Sequence, residues 1–180
     1  MDAEATEVLE FWRSIGASGW FARNDDVDAR IRDGFAGLHA RAVAGELHGW
    51  LEQPHSCLAL IIVLDQFPRN MFRGDPRAFA ADALALAAAN HAIAAGYHLQ
   101  VEREMADFFF TPLMHSESIL DQQRCVALMH AHSGREAFRF AVIHRDIIAR
   151  FGRFPHRNAV LGRPSSPAER AYLDADGFKG

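Results

Sequence analysis

Two segments of this chain concentrate residues that could do chemistry. The first is Leu64-Asp65-Gln66-Phe67-Pro68-Arg69-Asn70-Met71-Phe72-Arg73-Gly74. The second runs from Arg150 through Phe154-Pro155-His156-Arg157-Asn158 and on to Gly162-Arg163. Each follows an apolar run, and each carries Phe-Pro, then Arg and Asn, then an Arg beside a Gly. A guanidinium offers a planar fork of donors that matches a carboxylate or a phosphate. The pair therefore reads as an anion site. Its binding groups would be Arg69, Asn70, Arg73, Arg153, Arg157, Asn158 and Arg163. From His144 to Arg163 there are five arginines against the single acid Asp146, a local excess on a chain of net charge -4.

His115-Ser116-Glu117 supplies the acid–base candidates. An imidazole titrates near neutrality and suits proton transfer, which points to His115 and His156. Glu117 and Asp65 would orient them. Ser116 reads as a helix N-cap that adds backbone donors for an anion. The structural alternative is that Asp65 and Glu117 pair with the arginines and hold the loops together. There is no Gly-x-Ser-x-Gly elbow, no HExxH and no glycine-rich phosphate loop, so neither a metal nor a cofactor is expected.

These groups need a scaffold. The 180 residues fit one domain spanning 1–180, and 49% hydrophobic content is ample for a core. The pI near 6.2 argues against a nucleic-acid or membrane-surface partner. Lys179 is the sole lysine among 19 basic residues. Cys57 and Cys125 stand in apolar runs without a CxxC pair and read as buried reduced thiols. No apolar run approaches the roughly 20 residues that span a bilayer, so a cytoplasmic protein is expected.

The periodicity is helical throughout. Val8, Leu9, Trp12 and Ile15 mark a first helix ending at Gly16. Val27, Ile31, Phe35, Leu38 and Ala42 line one face of a second, capped by Asp25 or Asp26 and ended by Gly45. Cys57 to Phe67 is apolar nearly all round and reads as the central buried helix, with Pro68 ending it. Asp75-Pro76 reads as a helix start, leading into an Ala-rich helix to Gly96. Further helices are expected over about 99–108, 116–131 and 135–151. A capping box, Ser166-Pro167-Ala168-Glu169, opens the last one. Trp12, Trp20, Phe21 and Phe108 to Phe110 read as core. If consecutive helices from about residue 56 are antiparallel, three segments share one end of the array: Asp65 to Asp75, Thr111 to Glu117 and Gly152 to Arg163.

The stretches LIVLDQFPRNMFRG, AFAADALAL, PLMHSES and HRDIIARFGRFPHRNAVLGR resemble the bacterial family catalogued as domain of unknown function 924. The similarity runs from the Phe11-Trp12 pair to Gly177-Phe178. Ser118 departs from the pattern, standing where an acidic residue is common. The resemblance implies an all-helical fold similar to tetratricopeptide-repeat proteins and brings no established activity. The expected architecture is thus all-α, a single-domain antiparallel helical array. The expected partner is a small anionic ligand or a peptide carboxylate. One functional reading is an anion-binding protein with a hydrolase- or transferase-type site; the other is a peptide-binding module without catalysis.

Overall fold

The computed structural model describes residues 2–175 and 177–178, and among these there is helix and no strand. The chain falls into two compact units. One takes the chain up to Arg73 together with Arg77–Pro112; the other takes Gly74–Pro76 and the chain from Leu113 onward.

In the first unit, the helix Ala3–Ile15 buries Ala5, Val8, Leu9 and Trp12 and stops at Gly16, whose φ of 74° disfavours a side chain. The helix Asp25–Val43 buries Asp28, Ile31, Phe35, Leu38 and Ala42. Its cap is Asn24, whose side chain accepts from the amides of Asp26 and Val27. The acids Asp25 and Asp26 instead occupy the first turn, where they favour the helix dipole without capping it.

The apolar segment from Ser56 to Pro68 is buried throughout, as a central helix requires. It does not end at the proline. The α-helix Pro54–Ile61 passes into a π-helical turn, Ile62–Gln66, and resumes as Phe67–Met71. A proline inside an α-helix clashes with the carbonyl four residues back and leaves a hydrogen bond unmade. A wider π turn accommodates the ring: the amide of Phe67 reaches back five residues to Ile62. Pro68 then lies in the first turn of the resumed helix, a position that proline tolerates. Phe67 joins an aromatic cluster, with Phe35 and Phe67 4.9 Å apart, Trp12 and Phe67 5.8 Å, and Trp12 and Phe108 5.5 Å. Phe109 and Phe110 are fully buried as expected, whereas Phe21 is 75% exposed.

The Ala-rich helix begins at Asp82, not Pro76. A 3-10 turn, Pro76–Phe79, comes first. The stretch near 99–108 is likewise broken, into Tyr97–Leu99, Arg103–Ala106 and Asp107–Phe109.

In the second unit, the helices Ile119–His132 and Arg135–Phe151 are joined by Ser133-Gly134. Gly152 closes the latter in the left-handed region at φ 70°, its amide bonded to Ile148. Ile147, Ile148 and Phe154 form a core with Ile143, Phe151, Tyr172 and Phe178 packed on it. The capping box is present: Ser166 Oγ accepts from the Glu169 amide, and Glu169 accepts from the Ser166 amide.

Candidate functional site

The residues of the first motif find partners inside the first unit. Asp65 is fully buried on the π turn. Its Oδ2 accepts from Gln66 Nε2 at 2.6 Å and from Thr111 Oγ1 at 3.0 Å. Arg69, no longer on a loop but one turn further along the continued helix, meets Asp65 at 3.2 Å and Asp82 at 3.0 Å. It also donates to the Asp65 carbonyl at 2.6 Å. Burial disfavours its charge, but the two carboxylates outweigh that and raise its pKa. Arg73 closes its fork on Asp28 through Nε and Nη2, and Asn70 donates to the same carboxylate at 2.8 Å. Burial works against the Asp28 charge, yet the bonds from Arg73 and Asn70 prevail and lower its pKa.

Sequence reading missed Asp28, although the signal was there. It stands in line with Ile31, Phe35, Leu38 and Ala42 on the buried stripe. A carboxylate so placed must have a cation.

The second motif assembles around two glutamates of its own unit. Arg163 grips Glu117 with both guanidinium arms, at 2.7 and 3.0 Å. The amide of Phe154 adds a third donor to Glu117 at 2.8 Å. Burial raises the Glu117 pKa, but these bonds and the charges of Arg163 and Arg157 more than reverse it. Arg153 pairs in the same bidentate way with Glu169, at 2.6 and 2.8 Å, and holds that carboxyl far below its ordinary range. Glu169 was legible only as a cap; its second role depends on the fold. Asn158, fully buried, accepts from Arg163 at 3.0 Å and donates to Ser165 at 3.1 Å. Arg157 is 6% exposed, its guanidinium 4.5 Å from the centre of the Phe154 ring.

His115, Ser116 and Glu117 do not open a helix. His115 ends the helix Thr111–His115, and the next begins at Ile119 after Ser118. Ser116 is therefore no N-cap. Its hydroxyl donates to Asp121 at 2.7 Å and accepts from the Ser118 amide at 3.1 Å. Gln122, missed from the sequence, closes this corner by donating to the carbonyls of Met114 at 2.6 Å and Ser116 at 2.7 Å.

Three imidazoles converge beside the arginines. His115 and His144 lie 6.4 Å apart, and His144 lies 5.6 Å from Phe154. His156 lies 5.5 Å from the same ring. The His156 pKa is pushed down to about 3, first by burial and then by the charges of Arg157 and His144, so it is neutral at physiological pH. Its buried Nδ1 has no hydrogen-bond partner among the described residues. His144 was left out of the sequence-based site because only the helix register shows that it faces this cluster. No group of three His, Cys, Asp or Glu among the described residues is arranged to hold a metal ion.

The geometry thus defines an all-helical protein with two arginine–carboxylate networks, one in each unit. The chain belongs to the bacterial family of unknown function designated domain of unknown function 924, whose model matches residues 8–177. A solved structure of a protein of unknown function from Agrobacterium tumefaciens is 42% identical, with a TM-score of 0.93 over 96% of this chain and 98% of that one. No curated protein matches. No helix among the described residues is long and apolar enough to cross a membrane.

Proposed function

We propose that the second unit binds a small anion, a phosphate or a carboxylate, at the cluster of Arg157, His156, His115 and His144. One observation carries this reading: the unpartnered, buried Nδ1 of His156 beside Arg157. A buried polar atom without a partner costs about 1–3 kcal/mol, and an anion oxygen would remove that cost. Charge points the same way. Arg157 brings its charge close enough to lower the pKa of Glu117, which Arg163 already grips, so positive charge is gathered at this corner.

In this reading Arg153, Arg163, Asn158 and Glu117 form the frame, since their forks and carbonyls are already engaged. Ser116 shapes the corner that presents His115. Asp65, Arg69, Asn70 and Arg73 serve the fold of the first unit. A bound anion that raises the His156 pKa toward neutrality would make this imidazole a base, which is where a hydrolase- or transferase-type step would act. The terminal carboxylate of a peptide has the same chemistry as the small anion, so a protein partner would enter through it. The helix pair Ile119–His132 and Arg135–Phe151 is the helix–turn–helix unit on which a tetratricopeptide-like description of the fold rests.

The test is calorimetric titration with inorganic phosphate and with acetate, alongside NMR of the histidine ring nitrogens. Binding should raise the His156 pKa, because a nearby negative charge favours imidazolium. Arg157→Lys should weaken binding, and His156→Asn should remove the ring signal that responds. No binding of either anion at millimolar concentration would overturn the proposal.

A further inference from the structure

Resting on that anion site, we propose that the segment Gly177–Phe178 is a strap that covers its His144–His156 face and competes with the ligand for it. The segment follows the helix Pro167–Asp174, and it is seated on that helix by backbone contacts as well as by its ring. The Gly177 amide donates to the Tyr172 carbonyl at 3.0 Å, and the Phe178 amide donates to Tyr172 Oη at 2.9 Å. The approach is so close that only glycine fits. A Cβ at position 177 would lie 2.4 Å from the Tyr172 carbonyl oxygen and 2.6 Å from its ring. The glycine lets the chain turn Phe178 onto the two histidines. The Phe178 ring centre is 4.6 Å from that of His144 and 5.6 Å from that of His156, edge to face with both.

Phe178 sits edge to face against His156, and among the described residues the buried Nδ1 of His156 still has no hydrogen-bond partner. That combination distinguishes a removable cover from a completed core. Among the described residues, the strap is held by two hydrogen bonds to Tyr172 and by the Phe178 ring, which packs on the two histidines and on the Ile147–Ile148–Phe154 core. A ligand that needs the covered face then binds only the lifted fraction, and its apparent affinity falls by that fraction.

Two variants lift the strap by different means. Phe178→Ala removes the covering ring, and Gly177→Ala forces the segment off Tyr172 while leaving the ring in the chain. Two readouts are taken on the full chain: titration with inorganic phosphate, and the rate at which diethyl pyrocarbonate modifies His144 and His156, followed by peptide mass mapping. Both variants should modify faster than the unaltered chain. Both should bind phosphate more tightly, by about tenfold if the strap is closed about nine-tenths of the time. Faster modification with no phosphate binding in any of the three proteins would retain the strap and remove the anion reading. Phosphate binding of equal strength in all three, with unchanged modification rates, would remove the strap and retain the anion site. Unchanged rates with no phosphate binding would remove both.

Discussion

His39 Nδ1 lies 3.0 Å from the carbonyl oxygen of Val63. A carbonyl only accepts, so Nδ1 carries the proton. The contact answers a need that the π turn creates. The Phe67 amide, four residues on, is committed to Ile62, and the residue five on is Pro68, which has no amide hydrogen. The Val63 carbonyl therefore has no backbone donor within its own helix, and a side chain from the helix Asp25–Val43 supplies one.

Removing that donor should be costly. His39→Ala is expected to destabilise the fold by about 1–3 kcal/mol, the cost of a buried acceptor left unsatisfied. His39→Asn, which restores an N–H at the reach of Nδ1, should recover part of it. Chemical denaturation of the two variants checks this, and equal midpoints for wild type and His39→Ala would contradict it.

The buried segment should be as sensitive as its packing implies. Leu64 is 3% exposed on the π turn and Leu60 5% exposed on the α-helix before it. Leu60→Ala or Leu64→Ala should each cost about 2–5 kcal/mol. A denaturation midpoint unchanged in both would show that this helix is not central.

The Glu117–Arg163 pair should behave as one unit. Each side chain is about a quarter exposed, and the fork is bidentate. Glu117→Ala and Arg163→Ala are expected to be non-additive, with a coupling of about 0.5–3 kcal/mol in a double-mutant cycle. Strict additivity would mean that the fork contributes nothing to stability.

Acid should weaken the fold in two stages. Burial holds His39 and His156 below their ordinary value of 6.5, His156 at about 3. Between those values the unfolded chain holds the proton and the native chain does not, so each fall in pH favours unfolding. Asp28 and Glu117 have lowered pKa values as well, and their contribution is present at neutral pH and lost as pH falls below their ordinary 3.8 and 4.5. The thermal midpoint should be flat from pH 8 to 7, decline below about 6.5, and steepen below about 4.5. His156→Asn should flatten the first stage, and a midpoint rising on acidification from pH 6.5 to 5 would reverse the sign argued here.

Neither thiol should react readily in the native protein. Cys57 and Cys125 are buried and form no disulfide, and burial pushes the Cys57 thiol up to about 12, far from the thiolate that reacts. Rapid labelling of both under native conditions would contradict this.

Local rules decided what could be read from the chain alone. The stripe Ile31-Phe35-Leu38-Ala42, the Gly16 stop and the Ser166–Glu169 capping box each rest on contacts within a few residues, so composition and spacing suffice to find them. The arginine-rich segments were visible for the same reason. What each arginine holds was not. Arg73 meets Asp28 across 45 positions of chain, and Arg163 meets Glu117 across 46, so the pairing depends on how helices pack. Pro68 shows the difference most plainly. Its local preference is to end a helix, and it would do so in an exposed segment. Here the surrounding core buries every residue from Ser56 to Pro68, and a side chain from another helix satisfies the carbonyl that the proline orphans. Tertiary packing thereby makes a π turn cheaper than a break, and that choice sets the direction in which Arg69 leaves the helix and the place from which Arg73, in the turn beyond, reaches Asp28.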